Sequence, residues 1–578
     1  MPVFQIPQLG ACSVDADGFS AILTETASGD AQRLRLTLSA DAPTVPHNVR
    51  VAFRVFVPCV YSVWTPNHDE RHTLRPDWGR TCVKSRSASG VPVLCLLAQD
   101  GGNCLTVSLS DASNACSIAV GVCEETAEFS FELLFFTQRT TPLQTYSAEI
   151  RLDWQAREIE KALQDVRRAW DETYPPCTVP DAALEPVYSC WYSLHQQVFA
   201  DDVLRQCRLA SDYGMRTVIL DDGWQTEDNN RGYAYCGDWK VASKKIPDMA
   251  ALSDAVHALG MRFMIWYSVP FIGEHSENYT RFRGKYLSHD ANMGCYTLDP
   301  RFPECRAFLC ETYVTAARQW RLDGLKLDFI DSFCLTADSS EDYAHMDYIS
   351  LEDAVQALLR EATAALRAYK SDFLIEFRQI YIGPVMRQFG NMLRVGDCPG
   401  AAAVNRAGSV TLRMLCGKTA VHSDMVMWSP HESAAAAADQ LTAILYCVPQ
   451  ISVRLETLPQ SHRDMLAFYL RFWREKRDIL LGGTLTVENP ETGYSLVCAE
   501  RDGEAVITTY MQQVVSVCGL RCGTVVNASA YDALILETDG ALRYRVLDCT
   551  GDFVDAGEAD GLCRVYVPHS GMLIFEKS

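Results

Sequence analysis

Residues Asp323-Gly-Leu-Lys-Leu-Asp-Phe329 decide how the rest of this sequence is read. The run Gly324–Phe329 has the apolar content of a buried strand, broken by Lys326 and Asp328 two residues apart. Side chains at i and i+2 of a strand share a face, so Lys326 and Asp328 are expected together. An Asp near the C-terminal end of a parallel strand is where an α/β barrel carries catalytic groups. A paired Lys favours the ionised carboxylate, as a nucleophile requires. The same two residues also suit a structural ion pair at a strand end, and both readings stand at this point.

Working outward, residues 185–475 alternate apolar runs with helix-like segments, the rhythm of a βα repeat. Eight strands are expected: Val187–Tyr192, Arg216–Leu220, Arg262–Tyr267, Gly324–Phe329, Phe373–Phe377, Met392–Gly396, Ala420–Met427 and Gln450–Arg454. Helical patterns separate them, as in Asp201–Tyr213, Met249–Leu259, Pro303–Trp320, Leu351–Tyr369 and Ala434–Tyr446. Eight such units predict a TIM (β/α)8 barrel.

The flanks are of another kind. Arg33–Ser39 and Glu128–Glu132 alternate strictly, and short strands with Gly, Asp and Pro turns fill the first 155 residues, which predicts a β-sandwich. Trp64–His72 and Trp78 read as a polar surface loop, with an overhang onto a neighbouring active site as the alternative. Ile159, Leu163, Val166 and Trp170 then fall at helical spacing, and Tyr174-Pro-Pro176 ends that linking helix. The last hundred residues return to strands. The expected organisation is multidomain: an N-terminal β-sandwich with its linking helix (1–175), a catalytic barrel (176–478) and a small all-β C-terminal domain (479–578).

Composition narrows the function. A formal charge of −21 argues against nucleic acid and anionic membrane as partners, and suits a neutral small molecule. No signal peptide and no spanning apolar run are visible. The 23 Cys, scattered through apolar runs without a Cys-x-x-Cys pair, read as reduced thiols in a cytoplasmic protein without a structural metal. No cofactor is expected, and the chain is compatible with a homo-oligomer.

Polar and aromatic residues gather where the expected strands end. Trp191 closes the first, Asp221-Asp222-Gly-Trp224-Gln the second and Trp266-Tyr267 the third. Lys326 and Asp328 close the fourth, Glu376-Phe-Arg378 the fifth, Gly396-Asp397 the sixth and His422-Ser-Asp424 the seventh. Carboxylates accept hydrogen bonds from ring hydroxyls and indole faces stack on sugar rings, so this set points to carbohydrate chemistry. Each member also has a plainer use: Asp221 and Asp222 as a cap or loop salt bridge, His422 as a packed histidine, the Trp residues as core.

Asp221-Asp-Gly-Trp-Gln225, Gly237-Asp-Trp239, Gly260-Met-Arg-Phe-Met-Ile-Trp266 and Asp323-Gly-Leu-Lys-Leu-Asp328, in that order, resemble glycoside hydrolase family 36, the melibiase-type α-galactosidases. The resemblance covers roughly residues 185–475, and it implies a retaining exo-α-glycosidase acting on terminal α-galactosides. By motif, Asp328 resembles the nucleophile and Asp397 stands in the place of the acid/base. Asp221 and Asp222 resemble the pair that holds the axial 4-OH and the 6-OH. Trp224 and Lys326 resemble sugar-contacting residues, and Arg406 follows Asp397 as an arginine does in the family. Trp191, Trp266, Glu376, Arg378 and Asp424 complete the expected substrate-binding set.

The sequence also departs from that family. Glu376-Phe-Arg-Gln379 replaces a Cys/Ser-Gly-Gly loop, Gly396-Asp-Cys-Pro399 stands for Ser-Asp-Asp, and Tyr267-Ser-Val-Pro-Phe271 for Glu-Pro-Glu. An α-N-acetylgalactosaminidase or a galactosyl transferase would keep both carboxylates. A metal-dependent lyase or racemase on an enolase-type barrel is the more distant alternative, with Asp328, Glu376 and Asp397 as magnesium ligands. Asp397 is preferred to Glu376 as acid because its neighbours are neutral, whereas Arg378 is expected to hold Glu376 ionised.

Overall fold

The computed structural model describes residues 1–67, 72–378 and 380–577. The centre of the loop read as a polar surface loop (68–71), and Gln379 of the replaced loop, lie outside the described residues. Trp64, at one edge of that loop, is not a loop residue: it ends strand Ser62–Trp64, is 1% exposed and donates to the Tyr494 hydroxyl. Trp78 is exposed.

Two six-stranded sheets form the N-terminal unit, with Val14, Val51 and Phe131 of one packing with Leu34, Leu36 and Leu105 of the other. Helix α1 (Ile159–Thr173) follows, burying the expected Ile159, Leu163, Val166 and Trp170. At the other end of the chain, seven-stranded and three-stranded sheets share a core that includes Ile507, Val525 and Phe575 with Leu534 and Val565.

Between them lies one parallel eight-stranded sheet, curled into a nearly closed barrel. Its strands are β1 (Val187–Ser189), β2 (Thr217–Leu220), β3 (Arg262–Ser268), β4 (Gly324–Asp328), β5 (Leu374–Arg378), β6 (Met392–Arg394), β7 (Ala420–His422) and β8 (Gln450–Ile451). β8 pairs with β1, and single bridges His422–Val448 and Val426–Ile451 approach closure between β7 and β8. All eight expected strands are present. The first is shorter than expected, because Cys190 turns helical and Trp191–Leu194 form a single helical turn. Helices α2 (Ala200–Asp212), α3 (Met249–Ala258), α4 (Pro303–Gln319), α5 (Leu351–Tyr369), α6 (Ala402–Cys416), α7 (Ala434–Thr442) and α8 (Gln460–Gly482) follow their strands. A three-stranded antiparallel insert follows β3.

Strand alternation sorts the barrel interior by height. Val187, Ile219, Met264, Leu374, Met392 and Ala420 pack as an apolar floor, closed from below by Ala182 and Ala183. Gly324 belongs to this layer because a Cβ there would meet Leu374 Cβ at 2.6 Å. Two residues further along β2 to β7 stand Asp221, Trp266, Lys326, Glu376, Arg394 and His422, and beyond them Ser268, Asp328 and Arg378. Parallel register holds these levels together, pairing Trp266 with Lys326, Lys326 with Glu376, and Arg378 with Arg394. The period-2 geometry of the strands thus brings dispersed polar residues to one mouth.

Candidate active site

On the side of the mouth built by β2, β3 and β4, Asp221 and Asp222 follow the end of β2 and are both buried. Lys326 Nζ donates to Asp221 Oδ2 at 2.7 Å, and the Asp222 backbone N–H donates to Asp221 Oδ1 at 2.9 Å. Lys326 therefore has Asp221 as its direct partner, and Asp328 receives only its longer-range field. Burial lowers the affinity of Lys326 for its proton, but Asp221 outweighs it and the lysine is held charged. Gln196 and Gln225 donate to the two oxygens of Asp222, at 2.7 and 2.6 Å. Burial nonetheless pushes this carboxyl up to about 6. Gly223 is required at the turn: its φ is +111°, and a Cβ would lie 2.4 Å from Gln196 Cα.

Asp328, 7% exposed, is gripped from several elements. Its Oδ1 accepts from Arg378 Nε at 2.5 Å, from the Phe329 backbone N–H at 2.8 Å and from the Tyr381 hydroxyl at 3.3 Å. Its Oδ2 accepts from Trp266 Nε1 at 3.0 Å. Burial opposes ionisation here, yet Arg378, then Lys326 and Arg394, overcome it and hold the carboxyl well below its ordinary range. Phe329 adopts a left-handed φ of 64°, a sparsely populated conformation for a Phe, and this turn aims its N–H back at Asp328.

The side built by β5, β6 and β7 is organised by Arg394, 1% exposed. Its guanidinium lies 2.5 Å from Asp424, 2.9 Å from Asp397 and 3.7 Å from Glu376. Asp424 is enclosed and also accepts from the Tyr192 hydroxyl at 2.9 Å and the Cys398 N–H at 2.7 Å. Glu376 is enclosed too and accepts from Gln450 Nε2 at 2.5 Å. Burial raises the Glu376 carboxyl against the pull of Arg394 and Lys326. Asp397 differs in access, its side chain being 49% exposed. Partial desolvation raises its carboxyl, but Arg394 and then Lys326 draw it below its ordinary value.

Several expectations change accordingly. Arg378 does not neighbour Glu376 in charge; it pairs with Asp328, because register places the end of β5 beside the end of β4. Asp397 is not in neutral surroundings, since Arg394 three residues earlier reaches it. Trp224 cannot present its indole to a sugar: it is fully buried, donates to the Trp266 carbonyl and stacks on Trp239. Arg406 faces away from the mouth, with Nε on the Gly493 carbonyl at 2.7 Å and its guanidinium 3.9 Å above the Tyr510 ring. Glu376 and Asp424 lie beneath the surface of the mouth. Trp191 remains half-buried at the rim, edge-on to His195. Asp238 of the Gly-Asp-Trp motif caps the short turn Asn278–Arg281. His422 is a packed histidine, bonded to the Ala183 carbonyl and lowered to about 4 by burial.

Sequence reasoning missed Arg394, Tyr192, Gln196, Gln450 and Tyr381. Arg394 had a usable signal: a charged residue in the apolar run Met392–Val395 needs buried partners. The others come from loops and neighbouring strands whose approach no spacing reveals.

The site is thus a mouth of paired carboxylates and cations on a central barrel that stands between two β units. Residues 184–295, spanning β1 to β3, match the family model described as Melibiase. The α-galactosidase Mel36A of Lactobacillus acidophilus is 32% identical over 130 residues, covering 21% of this chain and 16% of that protein. The α-galactosidase AgaA of Geobacillus stearothermophilus is 29% identical over 94 residues, covering 16% of this chain and 12% of that protein. These alignments thus span less than a fifth of either relative. In structure, the family 36 α-galactosidase AgaA crystallised with 1-deoxygalactonojirimycin superposes with a TM-score of 0.69 at 14% identity, covering 99% of this chain and 89% of that one. An α-galactosidase from Lactobacillus brevis gives 0.65 at 13% identity, covering 99% and 87%. The resemblance read from the motifs therefore holds in sequence for the first strands of the barrel, and in fold for the whole chain.

Proposed function

We propose that this protein is a retaining exo-α-glycosidase that hydrolyses terminal α-galactosides by double displacement. The observation that carries the reading is the joined set Asp221–Lys326 and Asp328–Trp266 at the barrel mouth, on strands of the melibiase fold. The α-galactosidase relatives support it. Asp328 is the nucleophile, kept ionised by its cations. Asp221 and Asp222 receive the hydroxyls of the galactose ring. Asp397 is the acid/base: it is the carboxyl a leaving group can reach, whereas Glu376 is enclosed. Arg394 holds it ionised in the unliganded protein, so its acid role requires that the bound sugar displace water and desolvate the pair enough to raise its affinity for a proton. The barrel region 176–478 carries this chemistry between the flanking β units.

An enolase-type magnesium site finds no support in the geometry. Where a cation would sit among Asp328, Glu376 and Asp397, Arg378 and Arg394 already supply the positive charge. Among the described residues no helix is long and apolar enough to cross a membrane, and the many cysteines suit a reducing cytoplasm.

A panel of nitrophenyl glycosides tests the reading. The α-galactoside should turn over, with the first product retaining the α anomer by NMR, and EDTA should leave the rate unchanged. Equal turnover of the α-N-acetylgalactosaminide would move the assignment to that sister activity, and an inverted first product would exclude double displacement.

A further inference from the structure

We propose that Arg378 is the positioning residue of the nucleophile: it fixes Asp328 through Oδ1 and leaves Oδ2 as the attacking oxygen. This rests on the reading of Asp328 as nucleophile and goes beyond it, because the sequence places Arg378 in the expected substrate-binding set, at a point where it departs from the family pattern.

Three donors converge on Oδ1, from Arg378, the Phe329 backbone and Tyr381. They use the acceptor capacity of that oxygen. Oδ2 has the single donor Trp266, so among the described residues it retains an uncommitted lone pair. Arg378 is itself held in place. Its guanidinium stands 4.9 Å over the Phe329 ring and 3.9 Å from Asp331, and its side chain is 20% exposed. Asp331 Oδ1 is buried without a hydrogen-bond partner, so it acts on the guanidinium as a charge from behind.

The remaining charges around Asp328 explain why Arg378 rather than Lys326 has this role. Lys326 shares the strand but is spent on Asp221, and Arg394 is spread over Asp424, Asp397 and Glu376. The phenols of Tyr381 and Tyr233 lie near the same carboxylate and are pushed up by burial, so both stay neutral, and of the two Tyr381 donates to it. In the first step Oδ2 forms its bond to the anomeric carbon. The glycosidic bond breaks, its electron pair leaves with the aglycone oxygen, and that oxygen takes the proton of Asp397. Arg378 stays on Oδ1 throughout, touching neither the sugar nor the leaving group.

Arg378→Met, Arg378→Lys, Asp328→Asn and the double variant Arg378→Met/Asp328→Asn test this. Without Arg378 the acid limb of kcat/KM on nitrophenyl α-galactoside, and of inactivation by a fluorosugar, should move up by about one to three pH units. KM at neutral pH should change less than about threefold, because no sugar contact is lost. Arg378→Lys should restore most of the limb. A limb that does not move, or a rise in KM without it, would overturn the proposal and make Arg378 a sugar ligand. The melting temperature separates the proposal from the function it rests on. Arg378→Met should cost several degrees in the native background and little beside Asp328→Asn. If the wild type hydrolyses no glycoside, the functional reading fails; equal losses in the two backgrounds would then overturn the proposal as well.

Discussion

The two sides of the barrel mouth use the same residue type to opposite ends. On the β2–β4 side, burial pushes Asp222 up to about 6 against the pull of its neutral amide donors. Across the mouth Asp397 is drawn down, because Arg394 reaches it. The first side presents carboxyl acceptors held by neutral amides and a lysine; the second fixes charge with a guanidinium group. What separates them is the partner each fold position supplies, and not the acidity of aspartate.

The most severe way to probe this contrast is to remove the group that lies between the sides. Asp328→Ala should lose turnover altogether, with a fluorosugar labelling Asp328 in the wild type and no residue in the variant, as peptide mass mapping would show. Labelling elsewhere would move the nucleophile off β4.

Next come the buried pairs. Lys326→Met strands the Asp221 carboxylate and should cost about 3–5 kcal/mol, read from the urea midpoint. The double variant Lys326→Met/Asp221→Leu should recover part of that loss. If Lys326→Met costs nothing, the first side does not depend on its ion pair and the contrast fails.

Asp397→Ala sharpens the second side. It should keep first-step activity on aryl galactosides with good leaving groups, lose it on poor ones, and form galactosyl azide when azide is supplied. If Glu376→Ala shows this pattern instead, the enclosed carboxyl is the acid.

Asp222→Asn should reduce the preference for α-galactoside over α-glucoside by about tenfold to a hundredfold. The wild-type KM should rise as pH falls through about 6, because protonation removes the charged acceptor, and the variant should lack that step. A KM flat across this range would show that Asp222 does not bind as a carboxylate.

The smallest effect belongs to Arg406→Ala. Its guanidinium lies over Tyr510, away from both sides, so kcat/KM should stay within about twofold while stability falls by about 1 kcal/mol. Arg394→Met should instead cripple turnover.

The comparison also marks how far sequence reasoning reached. The β2–β4 side was legible because its chemistry is local: Asp221-Asp-Gly-Trp-Gln225 carries two acceptors and their turn in five residues, and Lys326 and Asp328 share a strand face by alternation. On the other side the carboxylates Glu376, Asp397 and Asp424 were legible but their pairing was not, since Arg378 gains its partner across a strand boundary and Arg394 gathers all three. The same limit explains Trp224, which motif matching made a sugar contact and packing made a neighbour of Trp239 and Trp266.

The sequence by itself determined the barrel, its flanking β units and the set of carboxylates at the strand ends, because hydrophobic period and turn residues act over a few positions. Only the tertiary structure decided which cation meets which carboxylate. Strand register and tilt set those distances, and Coulomb interactions in a buried mouth depend on distance and burial, neither of which is written along the chain.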